Sequence, residues 1–199
     1  MMLSLDKQHG NRIEFTAEGI DISFANILRR YCMSRVLVLA IDKVTFYDNN
    51  SSFWDEYLAH RIGLMPILTP AKLAKDVEVV FTLDAEGPKT VYSSEFKSSD
   101  DKIKMALDKI VVATLGQNQK LRLEAKAVLS DGTRHAKFQS GLVSYSQGKN
   151  PETFKFVVEM FYHMEPADVV LRGVGIIEDE LESISKDLGG SSSKKKKEK

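Results

Sequence analysis

The segment DISFANILRRYCMSR, residues 21–35, carries two different stripes on one predicted helix. Apolar residues recur with the spacing of a single helical face, at Phe24, Ile27, Leu28, Tyr31 and Cys32. The remaining positions repeat that spacing as a polar, doubly basic stripe of Asn26, Arg29, Arg30 and Met33. Asp21 or Ser23 can cap the N-terminus. The pattern predicts a helix over residues 23–34 with one apolar face and one basic face.

A second helix is predicted from Pro166, which suits a first helical turn, to Leu188. Its apolar residues follow a strict 4-3 spacing, and we call this set the C-terminal seam: Val170, Val174, Ile177, Leu181, Ile184 and Leu188. A sustained period of 3.5 residues is typical of a helix that packs against another helix. Gly173 and Gly175 either weaken this helix locally or allow a neighbour to approach closely.

Much of the rest of the chain alternates in the manner of β-strands. Strands are predicted at residues 12–17, 78–83, 89–96, 120–129 and 153–163, and residues 36–46 are predicted to form one or two buried strands. A short helix is predicted over residues 54–62, ending at Gly63, and Ser52 with Asp55 fits a capping box. Residues 72–75 form a candidate helical turn. These elements together predict an α+β fold.

Composition excludes several classes of protein. The chain has 199 residues, 28 basic, 28 acidic and one Cys, so it has no intramolecular disulfide and no site built from several Cys. The last eleven residues hold five Lys and one Glu, and without them 23 basic and 27 acidic residues leave a net charge of −4. This net negative charge disfavours general binding of nucleic acid, whose phosphates are also negative. Residues 189–199 are expected to be a disordered, Lys-rich tail.

No signal peptide is apparent, and the longest dense apolar run, residues 36–41, is too short to span a bilayer. Nucleotide-binding glycine loops, the G-x-S-x-G elbow and the H-E-x-x-H zinc motif do not occur in the sequence. The four His are scattered, and Cys32 lies on an apolar helical face. We therefore expect a soluble, intracellular protein with no catalytic residue, no cofactor and no metal site.

The two helices with apolar faces leave two interpretations open. Either they only cover a shared sheet in a monomer, or they exceed what the sheet can cover and dock on a partner. An uncharacterised enzyme in the β-rich middle of the chain is a third possibility.

Several segments resemble a known family. FTAEGIDISFANILRR (15–30) and LAIDKVTFYDNNSSFWDEYLAHRIGLMPI (39–67) look like the D-type subunit of archaeal DNA-directed RNA polymerase. The resemblance continues through EGPKTVYS, QKLRLEAKAVLSDGTRHAKF and FKFVVEM to the last helix, and covers most of residues 11–188. The D-type subunit is similar to the third-largest subunit of eukaryotic RNA polymerase II and, more distantly, to the bacterial α N-terminal domain.

The resemblance implies an assembly scaffold that makes no bonds itself. Residues 1–46 and 151–188 would form a discontinuous dimerisation domain, a sheet with two packed helices, and residues 47–150 a mainly β insert domain. The interface with a smaller L-like subunit would comprise Phe24, Ile27, Leu28, Tyr31, Val170, Val174, Ile177, Leu181 and Ile184. Contacts to the large catalytic subunits would come from Asn26, Arg29, Arg30, His60 and Arg61.

The resemblance further implies small zinc-binding polymerase subunits as partners, a cytoplasmic location and no membrane. Many archaeal D-type subunits carry an extra module with cysteines that hold an iron–sulfur cluster. Here only QSGLVSYSQGKNPET (139–153) stands in that place, so the chain resembles the short form. Nothing resembles the bacterial DNA-binding domain of α, and no direct sequence-specific contact with DNA is expected. The alternative function is an adaptor of the same fold that acts outside transcription.

Overall fold

The computed structural model describes residues 2–74 and 76–194, with side chains up to residue 188. These residues form three α-helices, α1 (Ile22–Ser34), α2 (Asp55–Gly63) and α3 (Pro166–Lys194). They also form ten strands: β1 (Met2–His9), β2 (Arg12–Glu18), β3 (Val38–Asn49), β4 (Glu78–Glu86), β5 (Lys89–Tyr92), β6 (Lys97–Ser98), β7 (Val111–Leu115), β8 (Lys120–Ser130), β9 (Gly141–Gln147) and β10 (Thr153–Met160). The prediction of an α+β fold is confirmed. In the part of the chain that the structure describes, none of the helices combines the length and the hydropathy of a membrane-spanning segment.

The chain forms two compact units. The first unit contains residues 2–36, 141–159 and 166–194, and the second contains residues 37–140 and 160–165. The first unit is therefore discontinuous along the chain.

The first unit is built on a four-stranded sheet in the order β1-β2-β10-β9. One face is apolar because alternate residues of β2 and β10 point to it: Ile13, Phe15, Ala17, Phe154, Phe156 and Val158. Phe15 stacks on Phe156 across the strand pair, with ring centroids 4.9 Å apart. Helices α1 and α3 pack against each other, α1 also contacts β9, and α3 contacts β2.

Local signals fix the entry into α1. Gly19 adopts φ +72°, a left-handed turn that suits glycine. The Asp21 carboxylate then accepts a hydrogen bond from the backbone N–H of Phe24 at 2.7 Å, so Asp21 rather than Ser23 is the N-cap.

The second unit combines a sheet in the order β3-β8-β4-β6 with the two-stranded pair β5-β7. The apolar face that was predicted for β8 lies in the core of this unit, where four of its residues are buried: Leu121, Leu123, Ala125 and Ala127. The helix α2 packs on this unit through Leu58 and Ile62, both fully buried. The predicted alternation in residues 120–129 therefore determines which face of β8 is buried.

The unit boundaries differ from those expected at residues 46/47 and 150/151. Residues 38–49 form β3, which pairs along nearly its whole length with β8 and so lies in the second unit. Residues 141–147 form β9, which joins the β10 sheet in the first unit. In both places, the pairing of the strand with its neighbours determines which unit it belongs to, and the sequence does not reveal that pairing.

Several local predictions were wrong or shifted. The strand predicted over residues 89–96 ends at Tyr92, and a short 3-10 helix, Ser93–Glu95, follows it. The strand predicted through residue 163 ends at Met160, and Tyr162 is exposed with φ +66°. The capping box of α2 is absent: Trp54 is the N-cap without a side-chain bond, and Asn49 Nδ2 donates to the Asp55 carboxylate at 2.6 Å. Residues 72–74 are not helical, and residue 75 lies outside the described residues.

The expected tail boundary at residue 188 also differs from the structure. Helix α3 continues to Lys194, because extending an existing helix adds one hydrogen bond per residue without a new nucleation cost. The prediction for residues 195–199 lies outside the described residues.

Candidate partner-binding surfaces

The C-terminal seam changes environment halfway along α3. Val170, Val174 and Ile177 are half-buried within the first unit. The next three seam residues are exposed, with Leu181 at 61%, Ile184 at 55% and Leu188 at 69%. Three large apolar side chains at a/d spacing on an exposed helix form the kind of surface that another helix covers.

The buried side of α3 packs closely on α1. Gly173 approaches Cys32 so closely that a β-carbon at position 173 would lie 2.7 Å from the Cys32 sulfur. Of the two interpretations of the glycines, close approach therefore holds at Gly173. At Gly175, a β-carbon would meet no atom of another element within 4 Å.

Glu180 ends the packed part of α3. It accepts a hydrogen bond from the Tyr31 hydroxyl and forms an ion pair with Arg35 at 2.6 Å. The Tyr31 hydrogen bond and then the Arg35 guanidinium lower the pKa of the Glu180 carboxyl, and the same carboxylate raises the pKa of Tyr31. Sequence reasoning missed Glu180, since no local pattern links residues about 150 positions apart.

The apolar face of α1 is turned slightly from the predicted one. The buried residues are Ala25, Leu28 and Cys32, whereas Ile27 is exposed. Leu28 thus packs in the core of its own chain, and its predicted place in a partner interface needs correction. The reason is that the buried face of α1 runs through Ala25, Leu28 and Cys32 and not through Phe24 and Ile27. Phe24 and Tyr31 are half-buried beside that face.

Strand β1 extends the apolar face beyond what the helices cover. Leu3 pairs with Ala17 and Leu5 with Phe15, and residues directly opposite in an antiparallel pair share a face. Ala17 and Phe15 are buried, yet Leu3 and Leu5 are both exposed by more than half. Sequence reasoning missed β1, although the alternation of Leu3 and Leu5 was the available signal.

The basic stripe of α1 is held in place by its own residues. The guanidinium of Arg29 donates to the Asn26 side-chain oxygen at 3.0 and 3.3 Å and to the Met33 sulfur at 3.6 Å. Arg30, the next residue, is exposed. The structure thus brings Asn26, Arg29 and Met33 together and leaves Arg30 facing solvent.

Helix α2 carries the other two predicted contact residues in the second unit. His60 and Arg61 are both exposed, but Arg61 already donates to the backbone oxygen of Val111 at 2.5 Å. Its guanidinium also lies 5.9 Å from the centre of the Tyr57 ring. Arg61 therefore ties α2 to the start of β7, a role that sequence reasoning missed.

An aromatic cluster at the start of α2 was also missed. Phe53 stacks on Tyr57 with ring centroids 5.3 Å apart, and Trp54 is 81% exposed. A groove of about 190 Å³ lies beside the other end of α2, between Leu64 and Val111. The α2 region thus offers apolar as well as charged surface.

Two residues that can carry chemistry lie in the interior. Burial raises the pKa of the Cys32 thiol to about 12, so the sulfur stays protonated at neutral pH. His163 is buried and bonded through Nδ1 to the backbone oxygen of Ile67 at 3.1 Å, and burial lowers the pKa of its imidazole. Among residues 2–74 and 76–194, no three His, Cys, Asp or Glu residues are placed to hold a metal ion.

Comparisons with known proteins bear on these surfaces. The family described as the RNA polymerase Rpb3/RpoA insert domain matches residues 44–144. The DNA-directed RNA polymerase subunit Rpo3 of Methanocaldococcus jannaschii is 40% identical over 167 residues, covering 84% of this chain and 85% of the relative. This chain belongs to the archaeal Rpo3 family of RNA polymerase subunits.

Other Rpo3 subunits are similar over different shares of their length. The Thermococcus kodakarensis subunit is 41% identical over 67% of this chain, which spans 54% of that relative. For the Halobacterium salinarum subunit, the identity is 37% over 84% of this chain and 66% of the relative. The resemblance to the archaeal D-type family is confirmed, and the chain is a component of a DNA-directed RNA polymerase with partners in that complex.

Proposed function

We propose that this chain is the non-catalytic assembly platform of a DNA-dependent RNA polymerase. It forms a heterodimer with a smaller, L-like subunit through the first unit and docks the large catalytic subunits elsewhere. The observation that carries the proposal is the exposed second half of the C-terminal seam, at Leu181, Ile184 and Leu188. A polymerase component with such a helix is suited to hold another subunit.

The small-partner interface combines the α3 and α1 residues with β1. Val170, Val174 and Ile177 continue the seam into the first unit, where they are half-buried. The exposed Ile27 and the half-buried Phe24 and Tyr31 lie on α1, which packs against α3. Leu3 and Leu5 add an uncovered strip of the sheet. An interface core that is apolar favours a stable, long-lived subunit contact.

The large-subunit contacts lie away from the seam. Arg29 is oriented by Asn26, and Arg30 projects next to it, so the pair offers guanidinium groups for carboxylates or backbone carbonyls. In the second unit, His60 and Arg61 are further contact residues for a large subunit. Within this scheme the first unit is the dimerisation domain and the second is the insert domain.

The remaining parts of the proposal concern location and other partners. Small zinc-binding polymerase subunits join the same assembly in the cytoplasm. The chain itself makes no bond, holds no cofactor and reads no DNA sequence. A net charge of −4 outside the last eleven residues supports the last of these points, because phosphate binding draws on clustered Lys and Arg.

Affinity purification of the tagged full-length chain from its own cells tests the proposal. The expected result is the L-like subunit and the large catalytic subunits at a one-to-one ratio with the chain. A stoichiometric complex that lacks every polymerase subunit would overturn it and would favour the adaptor outside transcription. As a second measurement, light scattering of the chain co-expressed with the L-like subunit alone should give the mass of a one-to-one heterodimer.

A further inference from the structure

The residues that flank the C-terminal seam are acidic. With Leu181 and Leu188 at a positions and Ile177 and Ile184 at d positions, the flanking e and g positions from 178 to 187 are Glu178, Glu180, Ser185 and Asp187. In paired helices, charges at e and g face the partner helix and set which partner is accepted.

One of these three acids is already neutralised within the chain. Glu180 is bonded to Tyr31 and Arg35. Glu178 and Asp187 are exposed on the two sides of the seam, where they border Leu181 and Ile184. Lys186, which follows the seam residue Ile184 by two positions, lies at an f position away from the seam and pairs with Glu182 at 3.1 Å.

We propose that Glu178 and Asp187 select the partner: the seam accepts a helix whose own flanking positions carry Lys or Arg. The inference rests on the proposed function, because the occupant is a helix of the small polymerase partner. It goes beyond that function by stating the charge that this helix must present.

The same residues argue against a second copy of the chain as the occupant. From position 171 to 187, the e and g positions are Leu171, Gly173, Glu178, Glu180, Ser185 and Asp187, with no Lys or Arg. Within those positions, a second α3 therefore offers no cation to Glu178 or Asp187. The acidic flank thus favours a heterodimer and disfavours a homodimer.

Two synthetic helices test the charge rule without knowledge of the natural partner sequence. Both contain about three heptads with Leu and Ile at a and d, and they differ only in Lys or Glu at e and g. Labelled peptide is titrated with the full-length chain, and binding is followed by fluorescence anisotropy. The Lys-flanked peptide should bind at least about tenfold more tightly than the Glu-flanked peptide at low salt. Added salt should reduce the difference, because it screens exposed charges.

A charge-reversed variant sharpens the test. Glu178→Lys with Asp187→Lys should invert the peptide preference, whereas Asp179→Lys with Glu182→Lys should preserve it. Both double variants change the net charge equally, but the second pair lies away from the seam. All four residues are exposed, so both variants should fold.

Equal binding of the two peptides, or equal effects of the two double variants, would overturn the charge rule. Binding of the L-like subunit to the wild-type chain, measured in parallel, keeps the platform function separate. If that subunit binds wild type and the Glu178→Lys, Asp187→Lys variant equally well, the charge rule fails while the platform stands.

Discussion

Gly173 of α3 lies against Cys32 of α1, and a β-carbon at position 173 would come within 2.7 Å of the Cys32 sulfur. The backbone nitrogen of Cys32 is also near, at 3.4 Å from the same point. Because Cys32 is buried and its side chain is short, it has little room to yield. The pair therefore sets how closely the two helices of the first unit approach.

The Gly173→Ala variant should destabilise the first unit. Overpacking costs about 1–3 kcal/mol, whereas the better helix propensity of Ala returns up to about 1 kcal/mol. We expect a net loss of about 1 kcal/mol in the free energy of unfolding, measured by urea denaturation.

The matched control is Gly175→Ala, two residues along the same helix. Nothing lies within 4 Å of a β-carbon there, so this variant should gain about 0.5–1 kcal/mol. Truncation of Cys32 to Ala should also reduce the penalty of Gly173→Ala. Equal effects of the two glycine substitutions would contradict the close approach.

His163 predicts a pH dependence of the second unit. Burial lowers the pKa of its imidazole, while Nδ1 binds the Ile67 oxygen and the His163 backbone oxygen accepts from the Thr69 N–H at 2.8 Å. The unfolded chain, with a pKa of about 6.5, therefore takes up a proton at a higher pH than the folded chain does. The stabilisation is fully present above about pH 6.5 and decreases as the pH falls toward the lowered folded pKa.

His163→Asn tests this assignment. Asn keeps an N–H donor near the position of Nδ1 but does not titrate. The urea midpoint of the variant should fall less than that of wild type between neutral and mildly acidic pH. Identical slopes for wild type and His163→Asn would show that another group titrates.

Much of the fold could be predicted from periodicity because the apolar faces of α3, β8 and β10 are long and regular. The exact buried face of α1 could not be predicted in this way. Phe24 and Ala25 are adjacent in sequence, and packing against α3 decides which of them faces inward. Contacts between residues far apart in sequence could not be predicted either. Glu180 with Tyr31, and β3 with β8, depend on tertiary placement that no local pattern encodes. The exposed apolar residues of α3 could be found from the sequence because they follow the same regular spacing as the buried part of the seam.

The basic stripe of α1 should act separately from the seam. Replacing Arg29 and Arg30 together with Ala removes two guanidinium groups but leaves the buried Ala25, Leu28 and Cys32 unchanged. We expect unchanged heterodimer formation with the L-like subunit and reduced incorporation of the large subunits, measured by reconstitution and gel filtration. Loss of the small partner in this variant would contradict the assignment of two separate faces.

Leu181 provides the most direct test of the seam. Because it is 61% exposed in the chain alone, Leu181→Asp should change the free energy of unfolding of the isolated chain by less than about 0.5 kcal/mol. In the heterodimer the residue is expected to be buried, where truncation of a Leu costs about 2–5 kcal/mol and an unpaired charge costs more. The affinity for the L-like subunit should therefore fall at least about thirtyfold.

Ser183→Asp is the matched control, since position 183 is exposed on the same helix but lies off the seam. It adds the same charge and should leave the heterodimer intact. Light scattering of each variant mixed with the L-like subunit distinguishes a one-to-one complex from the separate chains. Because positions 181 and 183 are both exposed in the chain alone, circular dichroism of both variants should match wild type. If Leu181→Asp still gives a normal heterodimer, the C-terminal seam is not the partner interface.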